Sequence, residues 1–310
     1  MPISWKSKIV LFNLETVYGT DSGPTGAANA ILASDVRLMP MEGTDVEREL
    51  DQPWFGNTGT LPAELHAKLA FKVELAPSGT AGTAPAWGVL LRACGAAETI
   101  IPDTSVTYNP VSDALESGTF HLWIGTTRYV LKGCMGTAQI ELSAQAIPYL
   151  TFEFTGLFAL PSEESRPTPN LTSWQKPTLA SATHTPTFQI NGDDFVLRSF
   201  KLDLGNEVSP RFLIGDERVK ITDRADVVEA RVEATALTVF DPFALAAAQT
   251  SVEIDLVHGT QPGRIAALNV PQAQLQRPQG LENAQNITEW PLRMMPLPGA
   301  GNDQWTLTLP

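Results

Sequence analysis

The sequence predicts a mainly β protein with two tandem domains, each a small β-sandwich or half-barrel with one flanking α-helix, plus extended arms and loops. Several segments alternate apolar and polar residues, as strands with one buried face do. Each half also contains one helical pattern. A proline-rich segment separates two runs of elements that follow the same order, which indicates an internal repeat.

The strand prediction rests on strict alternation. In residues 65–75 (LHAKLAFKVEL) every second side chain is apolar, and His66 lies on the opposite, polar face. Residues 119–124 (TFHLWI) and 150–158 (LTFEFTGLF) follow the same rule. Such strands are typical of antiparallel sheets with one face in water, so His66 and His121 are predicted to be solvated surface residues.

One helix is predicted in each half. Residues 83–95 (TAPAWGVLLRACG) offer Thr83 as an N-cap and Gly95 as a stop. The apolar side chains that would share one helix face are Trp87, Leu90, Leu91 and Cys94. In the second half Asp241 is a good N-cap, and Pro242 is suited to the first helical position.

The domain boundaries follow from the proline-rich segment. Residues 161–186 are rich in Pro, Ser and Thr, which cannot sustain a long strand ladder or helix. We therefore expect a first domain at residues 1–160, beginning with an N-terminal arm at 1–33, and a second domain at residues 187–310.

Six segments of the first domain recur in the second domain in unbroken order. The helical segment 85–95 corresponds to 241–249, and the strand segment 128–142 corresponds to 263–277. Identities are sparse, but the conserved order of six segments favours an internal duplication.

Composition excludes several classes of protein. The chain has 310 residues, 43% of them hydrophobic and 18% charged, which is a globular composition. The formal net charge of −13 argues against binding nucleic acid by phosphate neutralisation. No apolar run is long enough to span a membrane, and the N-terminus lacks a signal-peptide pattern. Cys94 and Cys134 are expected to be reduced and buried in a cytosolic product.

Motifs for catalysis or cofactor binding are weak. The Gly-rich stretch 18–31 (YGTDSGPTGAANAI) resembles a phosphate loop only in composition, because it lacks the following Lys and Pro24 removes an amide donor. The histidines have no metal-ligand spacing. Adjacent acids are interpreted as solvated turns; they are Glu163, Glu164, Asp193 and Asp194. We predict no enzyme, no cofactor and no metal.

Several short motifs carry a resemblance to a known family. They are ETVYGTDSGPT (15–25), PAWGVLLRACG (85–95), YNPVS (108–112) and LKGCMG (131–136). Their succession resembles the major tail tube proteins of long-tailed (siphovirus-like) bacteriophages. The likeness covers most of the first 160 residues, and the second half shares the order of elements.

The resemblance implies a structural virion protein. Such a protein would self-assemble into stacked rings that form the tail tube, through which DNA is ejected without specific binding. Shorter members of the family form rings of six, so a duplicated chain would need three copies for a pseudo-hexameric ring. Implied partners are its own copies and the tail terminator, tape-measure and tail-tip proteins. The protein would reside in the virion tail after synthesis in the host bacterial cytoplasm.

Candidate contact residues follow from this reading. The charged, aromatic loop at 45–64 is the candidate inter-ring contact, with the residues Glu47, Arg48, Trp54 and Phe55. Asp35 and Asp203 are candidate lumen-facing acids. The stretch 18–31 is expected to belong to an extended N-terminal arm that reaches a neighbouring subunit or ring.

Other functions remain open at the level of sequence. A tail-tip or baseplate ring protein would share the fold but assemble as one closed ring. A carbohydrate-binding β-sandwich module would use the scattered tryptophans as platforms. A hydrolase with an acidic site is disfavoured because no catalytic constellation is present.

Overall fold

A computed structural model of the chain describes residues 3–310. It is mainly β, with 51% of residues in strands and two helices among the described residues, which confirms the predicted fold class. We call residues 3–160 the first half and residues 187–310 the second half.

The first half contains nine strands and one helix, and a tenth strand follows it directly. These are β1 (Lys8–Leu14), β2 (Ala30–Ile31), β3 (Ser34–Glu47), β4 (Thr60–Glu74), α1 (Gly88–Arg92), β5 (Ala96–Ile101), β6 (Ser105–Pro110), β7 (Gly118–Ile124), β8 (Thr127–Ser143), β9 (Tyr149–Phe158) and, just beyond it, β10 (Ser162–Glu163).

The second half contains eleven strands and one helix. These are β11 (Thr187–Ile190), β12 (Asp193–Asp194), β13 (Leu197–Asp203), β14 (Asn206–Leu213), β15 (Asp216–Arg224), β16 (Val227–Glu233), α2 (Pro242–Ala248), β17 (Ser251–His258), β18 (Ala266–Leu275), β19 (Glu282–Ala284), β20 (Ile287–Pro296) and β21 (Thr306–Leu309).

The two halves share one strand order. In the first half the antiparallel neighbours run β3–β4–β9–β8–β7–β1. In the second half they run β13–β16–β20–β18–β17–β11. Along the chain, α1 lies between β4 and β7, and α2 lies between the corresponding strands β16 and β17. This common order supports the internal duplication inferred from the sequence.

The two halves are joined into one sheet. The C-terminal part of β8 pairs with β13, with Glu141 opposite Lys201 and Gln139 opposite Asp203. The sheet therefore continues from β3 to β18 without interruption. β21 adds a second connection, because it pairs with β18 on one side and with β6 on the other.

One apolar core runs through both halves. Its densest part in the first half is a group of phenylalanine rings. The Phe12 and Phe120 ring centroids are 4.4 Å apart, and those of Phe120 and Phe154 are 4.8 Å apart. Large buried aromatics of this kind contribute much of the hydrophobic stabilisation of a core.

The helices differ from the prediction in one respect. α1 begins at Gly88, so Thr83 is not its N-cap, and the residues before it form turns. Its predicted apolar face, including Trp87 and Cys94, is fully buried. α2 begins as predicted: Asp241 accepts hydrogen bonds from the backbone N–H groups of the second and third helical residues, after Pro242.

The polar face of β7 is covered, which contradicts the predicted exposure of His121. His121 is only 4% exposed, and its Nε2 lies 2.9 Å from Asp21 Oδ1. Leu171 of the linker packs beside Trp123 on the same face. Burial lowers the pKa of His121. Burial opposes ionisation of Asp21, but the Gly23 N–H and His121 outweigh it and hold the pKa of Asp21 below its ordinary value.

The N-terminal segment is not a free arm. β1 is a core strand, and β2 pairs with it. The linker holds the Gly-rich stretch 18–31 against the same half: Asn170 N donates to Gly26 O at 2.8 Å, and Trp174 Nε1 donates to Ala30 O at 2.9 Å. The linker therefore holds part of the stretch 18–31 within the chain, and its contact with a neighbouring subunit or ring stays a prediction.

A buried carboxylate forms a hydrogen bond with the C-terminal segment that contains Trp305. Asp226, just before β16, accepts a hydrogen bond from Trp305 Nε1 at 3.1 Å. Burial raises the pKa of Asp226 to about 6, although Arg224 and Trp305 act in the opposite direction. The folded state therefore binds the Asp226 proton more tightly than the unfolded chain does.

This raised pKa predicts a pH-dependent stability. The contribution of Asp226 is favourable below its unfolded pKa and is lost as pH rises through about 6. Asp226→Asn keeps an acceptor for Trp305 and removes the penalty, so we expect it to increase the free energy of unfolding at pH 7 by about 2–3 kcal/mol, and by less at pH 4. Urea denaturation at both pH values tests this. The exposed Asp45→Asn is the control, and an equal effect of both substitutions would contradict the assignment.

Candidate assembly surfaces

The continuous sheet presents a polar face with alternating charges. The residues in register across five adjacent strands are Tyr149, Glu141, Lys201, Glu229 and Arg293. Arg293 Nη1 lies 2.7 Å from Glu229 Oε1. Lys72 Nζ, one row away, lies 3.7 Å from Glu141 Oε2. Each exposed pair contributes little stability alone, but together they make a face on which both signs of charge are interspersed.

The structure separates the two candidate lumen acids. Asp203 lies on the polar face at the β8–β13 junction, where it accepts hydrogen bonds from Gln139 Nε2 (2.7 Å) and Gly205 N (2.9 Å). Asp35 is exposed on β3, at the border of the sheet, and has a left-handed φ of 52°.

That border is an open strand edge. Among the described residues, β3 pairs only with β4. A groove of about 510 Å³ runs beside it, lined by Trp5, Lys6 and Arg37 among others. Lys8 Nζ donates to Val36 O at 2.7 Å and so satisfies part of the edge. Exposed edges of this kind are templates for pairing with another chain.

Within residues 3–310, the last residue of β18, in the second half, is unpaired on one side. β17 pairs with β18 only as far as Gln274, opposite Ser251. Leu275 still pairs with Met294 of β20 on the other side. Leu275, the last residue of β18, thus has no strand partner on the β17 side in the part of the chain that the structure describes, which leaves a short edge in the second half of the chain.

The predicted inter-ring loop is a prominent exposed feature. Glu47 is the last residue of β3, and Arg48 N donates to Gly59 O at 3.2 Å, which closes the base of the loop at 48–59. At its tip Trp54 is 68% exposed and Phe55 is fully exposed. Adjacent exposed aromatics are typical of protein-contact surfaces.

A second hairpin leaves the sheet in the other half. β14 and β15 form a separate two-stranded sheet that begins after Gly205, which has φ +54°. A Cβ at this glycine would collide with the Ala225 carbonyl. In β3, Asp35 adopts the same left-handed conformation just before the strand continues into its own hairpin.

The β14–β15 hairpin docks on the first half of its own chain. Asn206 Nδ2 donates to the carbonyls of Cys94 (2.7 Å) and Gly136 (3.0 Å). Arg224 Nη2 donates to Gly95 O at 2.7 Å. The bonds to Cys94 and Gly95 satisfy carbonyls just after the C-terminal end of α1, where cationic and amide donors are favourable, and the bond to Gly136 reaches β8.

Val219, Tyr18 and Phe212 make further contacts between the hairpin and the first half. Val219 is fully buried and hydrogen-bonded through its backbone to the Tyr18 hydroxyl. Burial raises the pKa of Tyr18 to about 12. The rings of Phe212 and His66 lie 6.4 Å apart, so the hairpin extends across to β4.

The remaining features give little support for catalysis. A cavity of about 360 Å³ lies between the linker and β13, and both of its charged residues have partners. Arg198 Nε lies 2.6 Å from Glu289 Oε1, and Asp194 Oδ1 accepts a hydrogen bond from Gln189 Nε2 at 2.8 Å. Burial raises the pKa of the Cys94 and Cys134 thiols well above the ordinary value, which makes them poor nucleophiles. Within residues 3–310, no group of His, Cys, Asp and Glu could hold a metal ion.

Membrane insertion through a helix finds no support either. Neither helix in the described part of the chain has the length and hydrophobicity that a membrane crossing requires.

The open edge of β3 can pair with another strand, and the exposed aromatic residues Trp54 and Phe55 are typical of protein contact surfaces. The comparison with family models identifies the family. The model described as phage tail tube protein matches residues 7–291, so this chain belongs to the phage tail tube protein family. It is thus a structural protein of the bacteriophage virion tail. A search of curated proteins finds no match.

The family match confirms the resemblance predicted from the first-half motifs and extends it over nearly the whole chain. Sequence reasoning missed the β8–β13 junction and the docked β14–β15 hairpin. The available signal was Gly205, a glycine between two alternating segments, which marks a bend in a strand.

The bend at Gly205 can be tested by substitution. Gly205→Ala requires both a left-handed backbone and displacement of the Ala225 carbonyl, so we expect it to lower the free energy of unfolding by about 3 kcal/mol. Gly215→Ala has a positive φ in open space and should cost about 1 kcal/mol. Chemical denaturation of both variants measures the difference. Equal losses would show that the close approach at Gly205 is not important.

Proposed function

We propose that three copies of this chain form a closed ring, and that rings stack into the tail tube through which DNA is ejected. The observation that supports this is the β8–β13 junction, where the second half continues the sheet of the first half. The open edge of β3 and the open end of β18 could pair in the same way between copies.

The symmetry of the ring follows from the two similar halves. A contact from β18 of one copy to β3 of the next uses different surfaces on the two partners, so it generates either a closed ring or an open helix. Three chains with two units each would match the six units in the rings of shorter family members. The third contact would then close the ring and leave no edge unpaired.

In this assembly the polar sheet face would line the channel. Its acidic and basic side chains are paired across strands, which leaves few free cations to hold DNA phosphates. Asp203 lies on this face, and Asp35 at its border; both remain our proposed lumen acids. The net charge of −13 per chain adds repulsion of passing DNA.

The other proposed partners are the tail terminator, tape-measure and tail-tip proteins, which would contact the ends and interior of the tube. We propose synthesis in the host cytoplasm, with no cofactor. The loop residues Glu47, Arg48, Trp54 and Phe55 would contact the next ring.

The carbohydrate-binding alternative loses support in the structure. A binding platform needs exposed aromatics on one face. Four of the seven tryptophans are buried: Trp87, Trp123, Trp290 and Trp305. The tail-tip alternative, a single ring that does not stack, is distinguished by assembly.

Assembly of the purified protein tests the proposed function. Negative-stain electron microscopy at rising concentration, with mass determination in parallel, is expected to reveal stacked rings of trimers. Rings of six chains would retain the tube role and reject the trimer. Single rings that never stack would favour the tail-tip protein. A monomer at every concentration would reject the proposal.

The inter-ring role of the loop gives a separate prediction. Trp54→Ala with Phe55→Ala removes exposed aromatic area without touching the core, so we expect intact rings and strongly shortened tubes. Tube lengths in micrographs and ring mass are the measurements. Leu160→Ala, at another exposed apolar side chain, is the control. Tubes of normal length from the double variant would contradict the assignment.

A further inference from the structure

The groove beside the start of β3 is positively charged, although the chain as a whole is acidic. Three basic side chains line it, Lys6, Lys8 and Arg37, and we call it the basic groove. Asp35 is the acid at its rim. Acidic residues outnumber basic ones in the chain by 34 to 21, so a local excess of positive charge is a distinct feature of this surface. Such an excess favours an acidic partner.

The charges of the basic groove are free to bind a partner. Lys6 and Arg37 are exposed, and among residues 3–310 neither forms an ion pair. Lys8 Nζ lies 3.7 Å from the centroid of the Trp5 ring and donates to the Val36 carbonyl. Because this hydrogen bond satisfies the backbone at that point, the groove offers side chains to a partner rather than a free strand edge.

The other end of the same strand carries the opposite charge. Residues 45–51 (DVERELD), which we call the acidic segment, contain four acids and one arginine, and all of them are exposed. In the described part of the chain, none of these acids forms an ion pair. The exposed rings of Trp54 and Phe55 follow in the same loop. An acidic segment with adjacent aromatics complements a basic groove that contains an exposed tryptophan.

The acidic segment cannot reach the basic groove of its own copy. β3 begins at Ser34, beside the groove, and ends at Glu47, within the acidic segment. A strand rises about 3.3 Å per residue, so Arg37 and Glu47 are about 30 Å apart. The hydrogen bond from Arg48 N to Gly59 O closes the base of the loop and keeps it at the far end of the strand. The complementary surfaces can therefore meet only between copies.

The proposed ring directs these two surfaces toward neighbouring rings. Sheet pairing between copies places the hydrogen bonds around the circumference, and the strands then run with a component along the tube axis. Rotation about that axis leaves every β3 pointing the same way, so one face of the ring carries the acidic segments and the other carries the basic grooves. Stacking in a single direction brings these two faces together.

We propose that the acidic segment of one copy occupies the basic groove of a copy in the adjacent ring. Its carboxylates pair with Lys6 and Arg37, and the aromatic residues of the loop pack beside Trp5. The partner is a second copy of this chain, because the loop and the groove are complementary in charge and lie at opposite ends of one strand. This inference rests on the proposed tube and identifies the surface that receives the loop.

Charge reversal on each side tests the contact. Lys6→Glu with Arg37→Glu gives the groove the same sign as the acidic segment, so we expect intact trimeric rings and tubes about tenfold shorter than those of the wild type. Glu49→Lys with Asp51→Lys, on the other side of the contact, should shorten the tubes to a similar extent. The variant with all four substitutions restores the attraction with reversed signs and should regain most of the wild-type length. Ring mass and tube length in micrographs are the measurements.

A matched control separates local charge from overall charge. Lys176→Glu with Arg264→Glu changes the net charge by the same amount as the groove reversal, at exposed positions in the linker and in the loop before β18. This control should form tubes of wild-type length. Lys6→Gln with Arg37→Gln removes the attraction without adding repulsion and should shorten the tubes less than the reversal does. If the reversal variant forms no rings, this neutral pair decides the test by the same readout.

The outcomes separate this inference from the proposed function. Tubes of wild-type length from both reversal pairs would overturn the contact and leave the tube role intact. Short tubes from each pair without recovery in the fourfold variant would overturn the pairing of these two surfaces. Loss of rings in the neutral groove variant would assign the groove to a contact within the ring and so overturn the proposal. Failure of the wild-type protein to form tubes would overturn both the contact and the proposed function.

Discussion

The pairing of β8 with β13 is the interaction on which the rest of the structure depends. It sets Glu141 opposite Lys201, and so aligns the charged rows of both halves on one face. It also positions the β14–β15 hairpin, because the chain bends at Gly205 directly after the junction and folds back onto the first half. A junction made of backbone hydrogen bonds requires no particular side chains, so two halves with few identities can preserve it.

The local features of the fold could be predicted from the sequence. Alternation identified residues 65–75 as a strand with one buried face, and α2 begins at the cap predicted for Asp241. The errors have a common physical cause. His121 follows the pattern of a surface residue, yet the linker and the Gly-rich stretch cover it from far away in the chain. Periodicity along one strand carries no information about what packs on its second face.

The candidate surfaces were predictable to a different degree. Composition alone identified the exposed loop with Trp54 and Phe55. The charged row required the pairing register, because a shift by one residue moves every side chain to the other face of a sheet. Asp203 and Asp35 illustrate this: Asp203, the last residue of β13, is hydrogen-bonded on the sheet face, whereas Asp35, the second residue of β3, is exposed at a bend.

The two hairpins have very different tips. The first ends in the long loop at 48–59, and the second ends in a tight turn at Gly215. In the proposed ring, long and short tips would alternate around the circumference. A ring of identical single units would offer six equivalent orientations to the next ring, whereas this ring would offer only three. Duplication followed by divergence would thus limit each added ring to three rotational positions relative to the ring below it.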